Sequence, residues 1–176
     1  MHNRASFWSP VPDFSQATLH GDGITIVPVA NASLWLISGD LKKFLTHHNL
    51  HQIVGPRQCC DDARYGLRLA PDRMLFVSEG ASADTFELLQ DGCAITDVSD
   101  GLLLFDINGE NAAQLMAQAG SYSFTATQGS PEESAFIRFA DFKLALSRRG
   151  KGWRLHIERP WAPALWHWLQ AHVEQG

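Results

Sequence analysis

Short apolar runs alternate with polar turns along most of this chain, and only four stretches recur at helical spacing. Ile24-Thr-Ile-Val-Pro28 and Ser33-Leu-Trp-Leu-Ile37 are rich in β-branched and aromatic residues and predict strands. Gly39-Asp40 then opens LKKFLTHHNL, where Leu41, Phe44, Leu45 and His48 share one helical face. After a loop through Gly55-Pro56, the runs at residues 65–69 and 74–77, joined by Ala70-Pro71-Asp72-Arg73, predict a hairpin. Residues 82–90 predict a second helix, capped at Ser82 or Asp84. The rest repeats this order: a strand over 102–107, a turn at Asn108-Gly109, a helix over 111–119, a hairpin of 142–146 with 153–157, and a closing helix over 161–173.

Placing Ser38-Gly39 on Asn108-Gly109 gives an offset of 70, and placing Leu88-Leu89-Gln90 on Trp168-Leu169-Gln170 gives 80, the difference lying in loop lengths. The chain therefore reads as internally duplicated. Each βαββα unit would have one apolar sheet face to cover, so the fold class is α+β, with antiparallel sheets covered by helices. The boundaries are an irregular arm over 1–22, a first unit over 23–92 and a second over 93–176. On the closing helix, Trp161, Leu165, Trp168, Leu169 and His172 fall within one arc of about 100° and are expected in the core. Trp166 lies at the edge of that arc, as a wide-core residue or an interface aromatic.

Composition narrows the function more by exclusion than by indication. With 14 Lys+Arg against 19 Asp+Glu among 176 residues, the net charge is −5, and no basic run exceeds two residues. A nucleic-acid footprint is not expected. No stretch has the apolar length of a bilayer span or of a signal-peptide core, so a cytoplasmic location is the expectation. Cys59 and Cys60 are adjacent and Cys93 is alone, which makes neither a disulfide framework nor a CxxC metal site. The arm carries Phe7, Trp8 and Phe14, three aromatics expected to dock on this chain or on a partner.

Motifs with chemistry are scarce. ITDVSDGLLLFDINGE, residues 95–110, resembles a calcium loop only in composition: counted from Asp97, the acids miss the alternating positions and position 12 is Asn108. It reads as a Ser99-Asp100-Gly101 turn feeding a buried strand. His47 and His51 stand i, i+4 on a helix, with His48, Cys59 and Cys60 as conceivable further zinc ligands, but no HExxH acid accompanies them. A solvated helix end is the simpler reading, and no metal site is assigned. His156, His167 and His172 read as packing or surface residues, and Arg148-Arg149-Gly150-Lys151-Gly152 as a basic turn. GxSxG, GxxxxGK[ST] and GxGxxG are absent from the sequence, and neither catalytic nor cofactor-binding residues are assigned.

An ordered set of short motifs carries a family likeness over about 150 residues. It comprises Ile24-Thr-Ile-Val-Pro28, the hairpin Leu67-Arg-Leu-Ala-Pro71-Asp72-Arg-Met-Leu-Phe76-Val, Asp97-Val-Ser99-Asp100-Gly101, Ile107-Asn108-Gly109-Glu110, Trp153-Arg-Leu-His-Ile157 and Leu165-Trp166-His-Trp168-Leu169. Together they resemble the gamma subunit of heterotetrameric sarcosine oxidase, whose fold is related to the folate-binding aminomethyltransferases. The chain departs from the family at Ala119-Gly120-Ser121-Tyr122, at Gln128-Gly129-Ser130-Pro131 and at Arg159-Pro160-Trp161. These departures imply either divergence from the characterised enzymes or a variant amine substrate.

The resemblance implies a structural or assembly subunit without a reaction centre, in a cytoplasmic complex that demethylates sarcosine oxidatively to glycine. It implies alpha, beta and delta subunits as partners, with FAD, FMN, NAD, folate and zinc held by those subunits and none by this chain. Phe7, Trp8, Phe14 and Trp166 become the candidate subunit interface. The alternative is a stand-alone folate-binding one-carbon transfer protein of the aminomethyltransferase type.

Overall fold

In the computed structural model, the described residues are 11–50, 53–80, 84, 86–119 and 133–174. The first half contains β1 (Leu19–Gly21), β2 (Ile24–Pro28), β3 (Ala32–Gly39), α1 (Leu41–His47), β4 (Ile53–Val54), β5 (Arg64–Ala70), β6 (Arg73–Glu79) and β7 (Leu89–Gln90). The second contains β8 (Cys93–Asp97), β9 (Leu102–Gly109), α2 (Ala112–Gln118), β10 (Phe136–Phe139), β11 (Phe142–Arg149), β12 (Gly152–Glu158) and α3 (Ala162–Glu174).

These strands form two six-stranded sheets, ordered β1-β2-β9-β12-β11-β10 and β4-β5-β6-β3-β8-β7. The sheets do not divide at the expected boundary of 92/93. β2 crosses to pair antiparallel with β9 (Ile24 opposite Gly109, Ile26 opposite Ile107), and β8 crosses back to pair with β3 (Cys93 opposite Gly39, Ile95 opposite Ile37). The order of elements from β1 through α1 to β6 recurs from β7 through α2 to β12, and the opening hairpin of each copy, β1–β2 or β7–β8, belongs to the sheet built by the rest of the other copy.

Side-chain alternation explains the layering. Trp35, Ile37 and Phe76 point outward from the second sheet and bury Leu41 and Phe44 of α1. Phe105, Ile107 and Leu155 point outward from the first and bury Leu115, Met116, Leu165 and Leu169 of α2 and α3. Leu34, Leu67, Leu75 and Val77 face Leu104 and Ala145 across the gap between the sheets. The result is helix, sheet, sheet, helix.

Two expectations are corrected. The helix over 82–90 is not found among the described residues: Leu89–Gln90 is a strand paired with β8, and Leu88 and Leu89 are exposed. Asp91-Gly92, at φ 55° and 77°, supplies the two left-handed residues of a tight hairpin turn, as Asp22-Gly23 does between β1 and β2 at φ 39° and 68°. Phe86 fills the space instead, packing against Trp35, Phe44 and Phe76.

The arc of the closing helix also turns by about 60° from the expected one, at 100° per residue. Its buried residues are Ala162, Leu165, Trp166, Leu169 and Val173. Trp161 belongs to a 3₁₀ turn over Arg159–Trp161 that precedes the helix, and it is 55% exposed.

Candidate functional site

Strand periodicity collects polar side chains between the sheets. Arg154 and His156, two apart on β12, point inward while Trp153, Leu155 and Ile157 face the helices. Asp106 stands directly opposite Arg154 on β9 and receives two hydrogen bonds from it, Nε to Oδ1 at 2.6 Å and Nη2 to Oδ2 at 2.8 Å. The same guanidinium reaches across to the second sheet, donating from Nη1 to Glu79 Oε1 at 2.6 Å and to the Tyr65 hydroxyl at 3.2 Å. Arg149 donates to Glu79 Oε1 at 2.8 Å and holds the 59–62 loop through the carbonyls of Cys60 and Asp62. Its guanidinium also lies 5.2 Å from the Tyr65 ring centre.

This network has one consistent proton arrangement. His156 Nδ1 lies 3.3 Å from the Ala145 carbonyl and donates to it, which leaves Nε2 to accept from the Tyr65 hydroxyl at 3.2 Å. Burial works against the Arg154 charge, but its bonds to Asp106, Tyr65 and Glu79 outweigh that and raise its pKa. Burial likewise pushes the Tyr65 hydroxyl up to about 12.

His156 is pushed down to about 3, by burial first and then by the Arg154 charge. Because its folded pKa lies below the ordinary value of about 6.5, the unfolded chain binds the extra proton between pH 6.5 and 3. Stability should thus be intact above pH 6.5 and fall by about 1.4 kcal/mol per pH unit below it. Urea unfolding of wild type and His156→Gln between pH 6.5 and 4 checks this. The variant should lose one proton's worth of slope, and parallel slopes would refute it.

Next to His156 an apolar cavity of about 480 Å³ opens between the sheets, walled by Leu36, Leu69, Leu75, Val98 and Leu102. Phe136 and Pro160 extend that wall, and Lys143 and Glu158 bring charge to the lining. It has the size of a small-molecule pocket. Neutral His156, engaged at both ring nitrogens, is far from the near-neutral pKa a general base needs. The arrangement can bury a ligand or brace the two sheets; among the described residues it positions no nucleophile and base together.

The residues singled out in the sequence fall elsewhere. Phe7 and Trp8 lie outside the described residues. Phe14 and Trp166 meet each other edge to face at 5.6 Å, and both pack on Phe105, at 5.5 and 5.4 Å. Trp166 is 4% exposed, so its assignment to a subunit interface is corrected to the core under α3. Phe14 is half-buried in the same place.

The Arg148–Gly152 turn is structural. Arg148 covers the Trp153 ring at 4.8 Å, and the Gly150 amide bonds Asp61 Oδ1 at 2.6 Å. The Ser99-Asp100-Gly101 turn is likewise internal, Ser99 Oγ donating to Asp97 Oδ1 at 2.6 Å and accepting from the Leu34 amide at 2.9 Å. Those bonds to Ser99 hold the Asp97 carboxyl below the usual carboxylate range. Cys59, Cys60 and Cys93 form no disulfide among the described residues. His51 lies outside the described residues, while His47 and His48 converge on Asp91, a residue no local spacing pointed to.

No protein-family model and no curated protein matches the sequence. Solved structures do. A chain of heterotetrameric sarcosine oxidase from Corynebacterium sp. U-96, in complex with pyrrole 2-carboxylate, superposes with a TM-score of 0.63 at 18% identity, over 86% of this chain and 84% of that one. Aminomethyltransferase T of the glycine cleavage system from Bartonella henselae superposes with a TM-score of 0.57 at 19% identity, over 85% of this chain but 46% of its own. The swapped pair of sheets with its outer helices is therefore the α+β fold of the aminomethyltransferase type, shared with a chain of sarcosine oxidase.

Proposed function

We propose that this chain is a gamma-type subunit of a heterotetrameric sarcosine-oxidase-like complex, with an assembly role and no reaction centre of its own. The observation that carries this reading is the match in extent: near-equal coverage on both sides makes the sarcosine oxidase chain about as long as this one, one copy of the fold with little added. The aminomethyltransferase, by contrast, is more than twice as long as the part this chain matches. The ordered motifs of the sequence support the same reading. On it, sarcosine is oxidatively demethylated to glycine by the alpha, beta and delta subunits, which hold FAD, FMN, NAD, folate and zinc.

A contact surface is available for such an assembly. Trp161 and Phe136 are 55% and 40% exposed, and Lys143 and Glu158 lie beside them at the rim of the cavity. Exposed aromatics rimmed by charge favour protein contacts. Trp161 thus takes the interface role first given to Trp166. Trp161→Glu should leave urea stability within about 0.5 kcal/mol of wild type, since it removes an exposed ring. It should abolish co-purification with co-expressed alpha and beta subunits; retention at wild-type stoichiometry would remove this surface from the interface.

The cavity favours a second reading, a stand-alone folate-binding one-carbon protein. Calorimetric titration of the isolated chain with tetrahydrofolate separates the two. The assembly reading predicts no heat of binding, and saturable heat would favour the alternative.

A further inference from the structure

The end of α1 and the β7–β8 turn place two imidazoles and a carboxylate together. His47 Nδ1 lies 3.1 Å from Asp91 Oδ1, and His48 Nε2 lies 3.5 Å from Asp91 Oδ2. One ligand atom from each of the three residues fits within a span of 4.8 Å. Around a tetrahedral ion with bonds of about 2.0–2.2 Å, ligand atoms sit roughly 3.3 Å apart. The two His–Asp contacts are already close to that spacing.

Two further observations favour a cation at this place. His48 Nε2 and Asp91 Oδ2 are buried and face each other at 3.5 Å, too long and too poorly aligned for a well-formed hydrogen bond, and neither has another hydrogen-bond partner among the described residues. Buried polar atoms held at so long a contact are poorly satisfied, which is costly. The His48 ring is held between Phe44, at 4.3 Å, and Phe86, edge-on at 5.1 Å, so its nitrogen is aimed rather than free to turn away.

The other half of the molecule serves as an internal control. There, Asp22 occupies the position of Asp91, and Asn111 Nδ2 donates to its carbonyl at 2.8 Å and to Oδ2 at 3.3 Å. In the first half the residue equivalent to Asn111 is Asp40, whose carboxylate caps the Lys43 amide at 3.1 Å and has no hydrogen to give Asp91. The helix equivalent to α1 ends in Gln118-Ala119 rather than His47-His48. The fold is thus built in one half without these histidines, and where they occur the amide donor is gone.

We infer that His47, His48 and Asp91 form a binding site for a divalent transition metal of the Zn²⁺ type. The ion would tie α1 to the β7–β8 turn and keep one coordination position open on the side of His47, whose side chain is 58% exposed. This site is independent of the assembly reading and stands or falls without it.

The test uses the full chain, stripped with EDTA and titrated with Zn²⁺ by calorimetry and with Co²⁺ by visible absorption. One equivalent should bind, with the intense absorption of low-coordinate Co²⁺. His47→Ala and Asp91→Asn should each weaken binding more than about tenfold, the loss that removal of even an outer-shell partner causes. His20→Ala, remote from the cluster and exposed, should bind like wild type. His47→Ala removes an exposed ring, and Asn tolerates the φ of 55° at position 91, so neither variant should unfold the chain. Absence of stoichiometric binding, or variants that titrate like wild type, would overturn the site.

Discussion

Asp106→Ala should destabilise the protein by about 3–5 kcal/mol, the cost of leaving a buried charge without its partner. Arg154 is 3% exposed and spends two of its donors on Asp106. Glu79 cannot substitute, because its Oε1 already accepts from both Arg154 and Arg149. The loss would be felt on both sheets, since the same guanidinium joins β9 to Glu79 and Tyr65. Asp106→Asn keeps the shape and one acceptor, and should cost less than the alanine. Urea unfolding of the three proteins measures this. A loss below about 1 kcal/mol for the alanine would mean that Glu79 and Tyr65 alone satisfy Arg154.

Gly109→Ala should cost about 2–4 kcal/mol, and Gly39→Ala a similar amount. Both glycines sit where a strand ends against the other half's hairpin turn, at φ 125° and 135°, a region closed to residues with a side chain. A Cβ at Gly109 would run into the Gly23 carbonyl, and one at Gly39 into the Gly92 carbonyl. Backbone, not a movable side chain, would have to give way. Gly150 is the control: its φ is 53° and a Cβ there meets nothing within 4 Å, so alanine should cost only about 1–2 kcal/mol. If all three alanines cost the same, the close approach of the exchanged strands is wrong.

Those two glycines also show what could be read in the sequence. Local pattern found α1, α2, α3 and the hairpins β5–β6 and β11–β12, because each rests on spacing within a few residues. It also found the repeat, through the Gly39 and Gly109 offset. Strand exchange was out of reach, since the pairing partner of Ile24 or Cys93 is set by packing across the molecule and leaves no trace in periodicity. The Asp22-Gly23 and Asp91-Gly92 turns, by contrast, carried a hairpin signal in plain view. The apolar pair Leu88-Leu89 drew the reading to a helix, and the repeat offset of 80 reinforced it.

The candidate site was harder to read for the same physical reason. Tyr65, Glu79, Asp106, Arg149, Arg154 and His156 are ordinary strand residues singly, and their chemistry arises only when the sheets face each other. The closing helix misled in phase: Trp161 belongs to a 3₁₀ turn at Arg159–Trp161 rather than to the helix, and the buried face lies about 60° from the one expected, exchanging the fates of Trp161 and Trp166. His47 and His48 were noticed, but with the wrong companions, because Asp91 reaches them through the turn between β7 and β8.

Co-expression of the untagged chain with tagged alpha, beta and delta subunits, followed by affinity capture and light scattering, tests assembly most directly. The account predicts a single flavin-coloured species containing this chain at one copy per alpha subunit, with the mass of a heterotetramer. A flavin-containing complex of unchanged mass without this chain, beside a folded monomer of it, would contradict the account.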